Sequence, residues 1–211
     1  MAAAAVRGRR PLWVGKRAVD VVGAAALLLA LSLPMLVVAI AVRLTSDGPV
    51  LFRQARLGRG GRPFTILKFR TMVADAEHSL HREDRYRLYV DNGYKLHPDD
   101  DDRHTPIGSF LRRASLDELP QLWNVLRGQM SLVGPRPIVP EEIAEYGPLA
   151  FCYLAVTPGM TGLWQVSGRS SVAYPERCDL DLEYYESQSI RADLRILLRT
   201  PMAALKGIGA H

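Results

Sequence analysis

Leu111-Arg112-Arg113-Ala114-Ser115-Leu116-Asp117-Glu118-Leu119-Pro120-Gln121-Leu122-Trp123-Asn124-Val125-Leu126-Arg127-Gly128, running on to Ser131-Leu132-Val133-Gly134-Pro135-Arg136-Pro137, decides how the chain is read. It begins basic, sets two adjacent carboxylates before an apolar run, and ends in a proline-bounded turn with one arginine. Leu116, Leu119, Leu122, Trp123 and Leu126 recur at helical spacing, which predicts a helix with one buried face, closed by Gly128. Ser115 and Glu118 have the spacing of a capping box, but that register puts Pro120 fifth, where it deletes a backbone hydrogen bond. With Asp117 as N-cap, Pro120 falls third, where its missing N–H would have had no partner, and this register is preferred. Either way the carboxylates sit at the positive end of a helix dipole.

An isolated Asp-Glu pair reads first as a helix cap. Here Arg112 and Arg113 precede the pair, and Gly134-Pro135-Arg136-Pro137 follows it. Carboxylates inside an anion-binding surround suit a metal or a covalent step. Arg136, fixed between two prolines, is a stiff donor fork suited to phosphate, or alternatively a turn residue in a surface ion pair.

The runs 115–122 and 131–137 resemble the signature of the bacterial sugar transferases, the monotopic polyprenyl-phosphate phosphoglycosyl transferases that start cell-surface glycan assembly. Lys68-Phe69-Arg70-Thr71-Met72 and the run 157–169 also match, so the resemblance covers about residues 16–206 in four motifs in the family's order. It implies an α+β monotopic membrane protein on the cytoplasmic face of the bacterial inner membrane. A re-entrant helix-break-helix would precede a mainly helical catalytic domain with interfacial amphipathic helices. It implies Asp117 as nucleophile and Glu118 as Mg²⁺ ligand. Asp117 would attack the sugar-bearing phosphate of a UDP-sugar and release UMP; polyprenyl (undecaprenyl) phosphate would then take the phosphosugar. Lys68, Arg70, Arg112, Arg136, Gln165, Arg169 and Asp181 are the expected substrate contacts. The charged segment 75–104 is longer than in compact members, which leaves the choice of sugar open.

The residues outside these motifs set the frame. A chain of 211 residues, 48% hydrophobic, holds one ordinary domain plus an appendage. Its net charge of +5 suits nucleic acid, anionic lipid or a phosphorylated substrate equally. Cys152 and Cys178 have neither metal nor redox spacing and are expected as reduced thiols. Residues 1–12 are expected as a disordered basic tail, and the apolar run that follows has no small-residue cleavage site of a signal peptide.

Residues 21–42 carry no charge, and at ~1.5 Å per residue they could cross a bilayer core of ~30 Å. Ser32 and Pro34 at the middle predict a kink, and Arg and Lys lie on both flanks, as on cytoplasmic segments. A helix that enters, bends at Pro34 and returns to the same face satisfies both. Asp20 is expected either to hold a basic neighbour or to be solvated. Residues 49–72 read as a β-hairpin turning at 58–61, with Lys68 and Arg70 on one face and Leu67 and Phe69 on the other. Residues 75–104, with four histidines and an acidic run, fit no standard metal spacing and read as a solvated loop. Residues 144–154 read as helix, 164–166 as extended, 179–186 as helix or loop, and 193–206 as a basic amphipathic helix interrupted at Pro201, suited to a membrane surface or to core packing.

The expected domains are a tail (1–12), a re-entrant membrane helix (13–43), a catalytic domain (44–206) and a C-terminal tail (207–211). Two other readings compete. A non-catalytic monotopic scaffold leaves Asp117, Glu118 and Arg136 together unexplained, and UMP release would exclude it. A single-pass protein with a basic nucleic-acid-binding domain fits the charge, but no recognised nucleic-acid motif is present. The sequence leaves the oligomeric state open, a homodimer included.

Overall fold

The computed structural model describes residues 10–73, 76, 80, 83–94, 96, 101–168 and 172–205. Two helices lead the chain: α1, Arg10–Ala30, and α2, Ser32–Thr45. The expected break is present, and the pair is bent by 64°. Leu31 N still bonds Leu27 O, and Met35 N bonds Leu31 O, both at 2.8 Å. Pro34 therefore falls in the first turn of α2, where its missing N–H leaves nothing unpaired. Ser32 Oγ donates to the Leu29 carbonyl (2.8 Å) across the break. Because α1 starts at Arg10, residues 10–12 are helical rather than part of a disordered tail; residues 1–9 lie outside the described residues. No single described helix is long and apolar enough to cross a membrane.

The hairpin follows as expected: β1, Leu51–Leu57, pairs antiparallel with β2, Pro63–Phe69, from Leu51↔Phe69 to Leu57↔Pro63. Its turn uses Gly60 (φ 69°) and Gly61 (φ 74°), left-handed conformations that glycine adopts without a Cβ clash. On the far edge of β2 the Asn124 side chain takes the place of a third strand. Its Oδ1 accepts from Leu67 N (3.0 Å) and its Nδ2 donates to Thr65 O (2.7 Å).

A second, parallel pair joins β3, Ser131–Val133, to β4, Gly159–Thr161. Among the described residues the other α-helices are α3 (Glu83–Asp91), α4 (Pro106–Arg113), α5 (Gln121–Leu126), α6 (Ala150–Ala155), α7 (Leu163–Ser167), α8 (Glu176–Ser187) and α9 (Ile190–Leu205). The class is α+β. Several local expectations are corrected. Residues 144–154 do not form one helix: a 3₁₀ stretch, Pro140–Leu149, is broken at Gly147 (φ 45°) before α6 begins. Trp164, Gln165 and Val166 are helical in α7, not extended. The last helix begins at Ile190 and runs through Pro201.

The main core joins Phe64 and Ile66 of β2 to Leu122 and Val125 of α5, Leu132 and Val133 of β3, Tyr184, Ile196 and Ala24 of α1. Helix α1 is thus built into the core, and polar contacts reinforce the join. Asp20 accepts from Ser131 Oγ and Leu132 N, both 2.9 Å. Lys16 Nζ pairs with Asp193 (2.6 Å) and donates to Val133 O (2.9 Å). Arg17 donates to the Val125 and Leu126 carbonyls at 2.6 and 2.7 Å.

The charged segment is only partly a solvated loop. Asp101 and Arg103 are buried in a bidentate pair, 2.6 and 2.8 Å, and Arg103 also donates to Ala76 O (3.1 Å). Burial opposes ionisation of Asp101, yet Arg103 and His104 hold its carboxyl well below the usual range. His78, His81, His97 and Asp99 lie outside the described residues.

Candidate active site

The two carboxylates stand in neither expected register. After α4 ends, Ser115 takes a left-handed conformation (φ 55°), and Leu116–Glu118 make a single 3₁₀ turn. α5 starts only at Gln121, with Pro120 ahead of it and no side-chain cap. The left-handed residue stops the helix from propagating backwards, and a proline at the N-cap loses no helical bond. Asp117 and Glu118 therefore lie on a tight turn, where adjacent side chains can serve one site. Leu116 and Leu119 pack with Val42, Phe69 and Leu111, while Leu122 and Leu126 reach the main core. Trp123 leaves the predicted face: it is 46% exposed, with Arg127 stacked 5.4 Å from its ring.

Asp117 is buried, and burial together with neighbouring Glu118 pushes its carboxyl up to about 6, against the opposing pull of Lys68, Arg112 and Arg136. Lys68 Nζ donates to Glu118 Oε1 at 2.7 Å. β2 supplies this lysine on the face that also carries Ile66, as the strand alternation predicts.

Beside the turn lies a cavity of about 30 Å³ lined by Arg56, Ile66, Lys68, Glu118, Gln121, Arg136, Pro137, Met160 and Gln165. Arg136 is held by packing of backbone on backbone. Gly134 N bonds Thr161 O (2.8 Å), and a Cβ at Gly134 would stand 2.4 Å from Thr157 O, so only glycine fits there. The Arg136 guanidinium lies 5.7 Å from the Trp164 ring, and Arg177 lies 4.2 Å from the same ring. Glu142, buried, faces both Arg177 (3.6 Å) and Arg56 (3.7 Å) and accepts from Tyr174 OH (3.0 Å). Arg56 Nη1 donates to Pro137 O (3.2 Å), closing a ring of contacts around the arginine turn.

Of the residues expected at the site, Lys68, Glu118, Arg136 and Gln165 line the cavity, and Asp117 adjoins it. Arg112 acts on Asp117 without lining the cavity, its Nη1 3.1 Å from His104 Nε2. Arg70 is not brought there: it is buried and donates to Ser46 O (2.7 Å) and Ser46 Oγ (2.9 Å), tying the end of α2 to the hairpin. Asp181 is not brought there either. It is 2% exposed and accepts from Tyr146 OH (2.6 Å) behind Arg177. Arg169 lies outside the described residues. Sequence reasoning missed Arg56 and Gln121. Gln121 stood three places after Glu118 in the run already singled out, a signal that could have found it; Arg56 gave none.

The donor set tests the expected Mg²⁺. Among the described residues no group of three or more His, Cys, Asp or Glu could hold a metal alone. Mg²⁺ commonly binds through one or two carboxylates and takes its other ligands from substrate phosphates and water. Glu118 on the cavity wall, with Asp117 adjoining, fits that pattern.

These features set two carboxylates beside a small cationic cavity, and comparison with known proteins gives the chain's family. The chain matches the bacterial sugar transferase family over residues 12–207 and belongs to it. It is 44% identical over 200 residues to the UDP-galactose-lipid carrier transferase of Erwinia amylovora, covering 93% of this chain and 41% of that protein. It is 40% identical to the exopolysaccharide production protein ExoY of Sinorhizobium fredii, over 94% of this chain and 88% of the relative. It is 45% identical over 206 residues to the UDP-glucose:undecaprenyl-phosphate glucose-1-phosphate transferase of Caulobacter vibrioides, covering 93% and 72%. By family the chain is a sugar transferase.

Proposed function

We propose that the protein transfers a phosphosugar from a UDP-sugar to a polyprenyl phosphate such as undecaprenyl phosphate, as the first membrane step of surface glycan or exopolysaccharide assembly. The relatives' names support the substrate classes. The observation that carries the mechanism is a buried carboxylate, Asp117, held beside a cavity whose wall is cationic at Lys68, Arg56 and Arg136.

A carboxylate among cations beside a small cavity suits attack on phosphorus. A carboxylate oxygen of Asp117 bonds to the sugar-bearing phosphorus; the bond to the bridging oxygen breaks and UMP leaves with that electron pair. An oxygen of the polyprenyl phosphate then attacks the same phosphorus. The bond to Asp117 breaks, restoring the carboxylate and giving polyprenyl diphosphate sugar. Lys68 and Arg136 stabilise the charge that builds on the equatorial oxygens. Glu118 would hold Mg²⁺, which supplies further charge neutralisation on the diphosphate.

The acceptor's lipid asks for a site beside a membrane. Val22, Leu29, Leu33, Leu36, Val37, Ile40 and Leu44 are 51–79% exposed along α1 and α2, an apolar surface that a lipid interior would cover. In this reading the bent pair dips into the cytoplasmic leaflet of the inner membrane and returns.

Incubation of the full chain in lipid nanodiscs with a UDP-sugar and Mg²⁺, without acceptor, should release UMP and add one phosphosugar to Asp117 by peptide mass spectrometry. Asp117→Asn should give neither. An adduct on another residue, or normal turnover by the Asn variant, would remove Asp117 from this role. Full activity in EDTA would remove the metal.

A further inference from the structure

Two buried nitrogen donors on cavity-lining residues have no partner among the described residues. Gln121 is 1% exposed, and its Nε2 makes no hydrogen bond; the buried Arg56 Nε makes none either. A buried donor left unpaired costs stability, so such atoms at a cavity wall are best explained by what enters it. Arg56 adds a second misfit. Burial and then the like charge of Arg136 depress its pKa, and facing Glu142 only partly offsets them. Two guanidiniums beside one small cavity call for an anion.

The hairpin register orders the two cations along the strand. Lys68, bonded to Glu118, pairs across from Phe52, whereas Arg56 pairs across from Phe64. Phe64 and Lys68 are four residues apart, about 14 Å of strand. Along the hairpin, Lys68 is therefore the cation nearer the carboxylate turn, and Arg56 lies further along it. An in-line attack puts the leaving group opposite the nucleophile. On the far side of the reacting phosphorus from Asp117 stands the departing nucleoside monophosphate, which is anionic, whereas a neutral sugar has no use for two arginines. The cavity's ~30 Å³ exceeds the roughly 10–15 Å³ that seats one water, so it admits phosphoryl oxygens but not a whole nucleotide.

We infer that Gln121 Nε2 and Arg56 Nε form the subsite for the leaving nucleoside phosphate, donating to its oxygens as charge builds there. This rests on the proposed donor class and adds two residues to it. Gln165, whose buried Oε1 also lacks a partner, supplies an acceptor on the same wall for a donor hydroxyl or N–H.

The test is equilibrium binding of UMP and of uridine to the full chain in nanodiscs, measured by calorimetry for wild type, Gln121→Met and Arg56→Lys. Met keeps the volume of Gln and removes its hydrogen bonds. Wild type should bind UMP more tightly than uridine. Gln121→Met should lose about 10- to 100-fold in UMP affinity with uridine unchanged. Arg56→Lys, which keeps charge but loses the fork, should lose UMP affinity similarly. Circular dichroism melts establish that each variant is folded. A folded Gln121→Met that binds UMP as wild type does overturns the assignment, as does an equal loss for UMP and uridine. If wild type binds neither UMP nor UDP-sugar, the donor class itself is wrong, and that result is read without any variant.

Discussion

Asp181→Asn separates a structural acid from a substrate ligand. The carboxyl is 2% exposed, accepts from Tyr146 OH at 2.6 Å, and lies near Arg177. Burial raises its pKa from 3.8 to about 6, despite the opposing Tyr146 hydrogen bond and Arg177 charge. A folded-state pKa above the unfolded one means the folded chain binds the proton more tightly. Its contribution is complete below about pH 4 and lost as pH rises through 6, leaving the ionised folded state about 3 kcal/mol worse off at pH 8. Asparagine keeps an acceptor for Tyr146 and removes the charge. Urea unfolding of both proteins should show Asp181→Asn the more stable at pH 8, with the difference shrinking towards pH 4. At roughly 2–4 °C per kcal/mol, its Tm should rise by about 6–12 °C at the higher pH. The KM for UDP-sugar should stay within about twofold, since the side chain does not reach the cavity. Equal destabilisation at every pH would mean that Asp181 is ionised as the partner of Arg177, and the reasoning would fail. A tenfold rise in KM in the folded variant would return Asp181 to the substrate.

Asn124→Leu should cost about 2–5 kcal/mol in unfolding free energy, because Leu67 N–H and Thr65 C=O lose their partner together; a change under 1 kcal/mol would make those bonds dispensable. Arg136→Lys should lower kcat/KM at least tenfold with Tm nearly unchanged, since a point charge replaces neither the fork nor the stack on Trp164; unchanged kinetics would demote Arg136 to a turn residue. Gly8→Cys and Asp47→Cys should both resist an impermeant thiol reagent in intact cells and react once the inner membrane is opened, the two native cysteines being buried. Labelling at position 8 from outside would mean that the segment spans.

What the sequence made legible was local. The bend at Leu31 follows from Pro34, the hairpin from its glycine turn, and the side of Lys68 from a period of two. The misses share a cause: their partners are distant in sequence. Arg70 shared a motif and a strand face with Lys68, but Ser46, displayed by the end of α2, claims it first. Asp181 sat in a family motif, yet Tyr146 and Arg177 bury it. Trp123 fitted the helical period, but α5 is only six residues long, and the 3₁₀ turn before it shifts the phase. Arg56 was one of several arginines on a flank. Only the fold of 140–142 and 177 against the hairpin distinguishes it.

The helix that would enter the membrane holds both arms of the site. Arg17 grips the end of α5, the helix that follows Asp117 and Glu118, while Asp20 and Lys16 grip β3, which leads directly into Gly134-Pro135-Arg136. In the proposed membrane reading, the depth of that helix would set the height of Asp117 over the lipid surface. The bend limits the depth. If both arms make equal angles with the surface, a 64° bend inclines each by half that, and the 14 residues of α2, about 21 Å long, descend only about 11 Å. Half of a hydrocarbon core is about 15 Å. A dip of this geometry would stay in one leaflet and bring the chain back beside the hairpin, where Arg70 holds Ser46. Straightened, the same two helices would be long enough to cross, and the hairpin with Lys68 would be carried to the opposite side from Lys16 and Asp20. The contacts of α1 with β3 and of α2 with the hairpin could not then both persist, so the bend and the assembled site require each other.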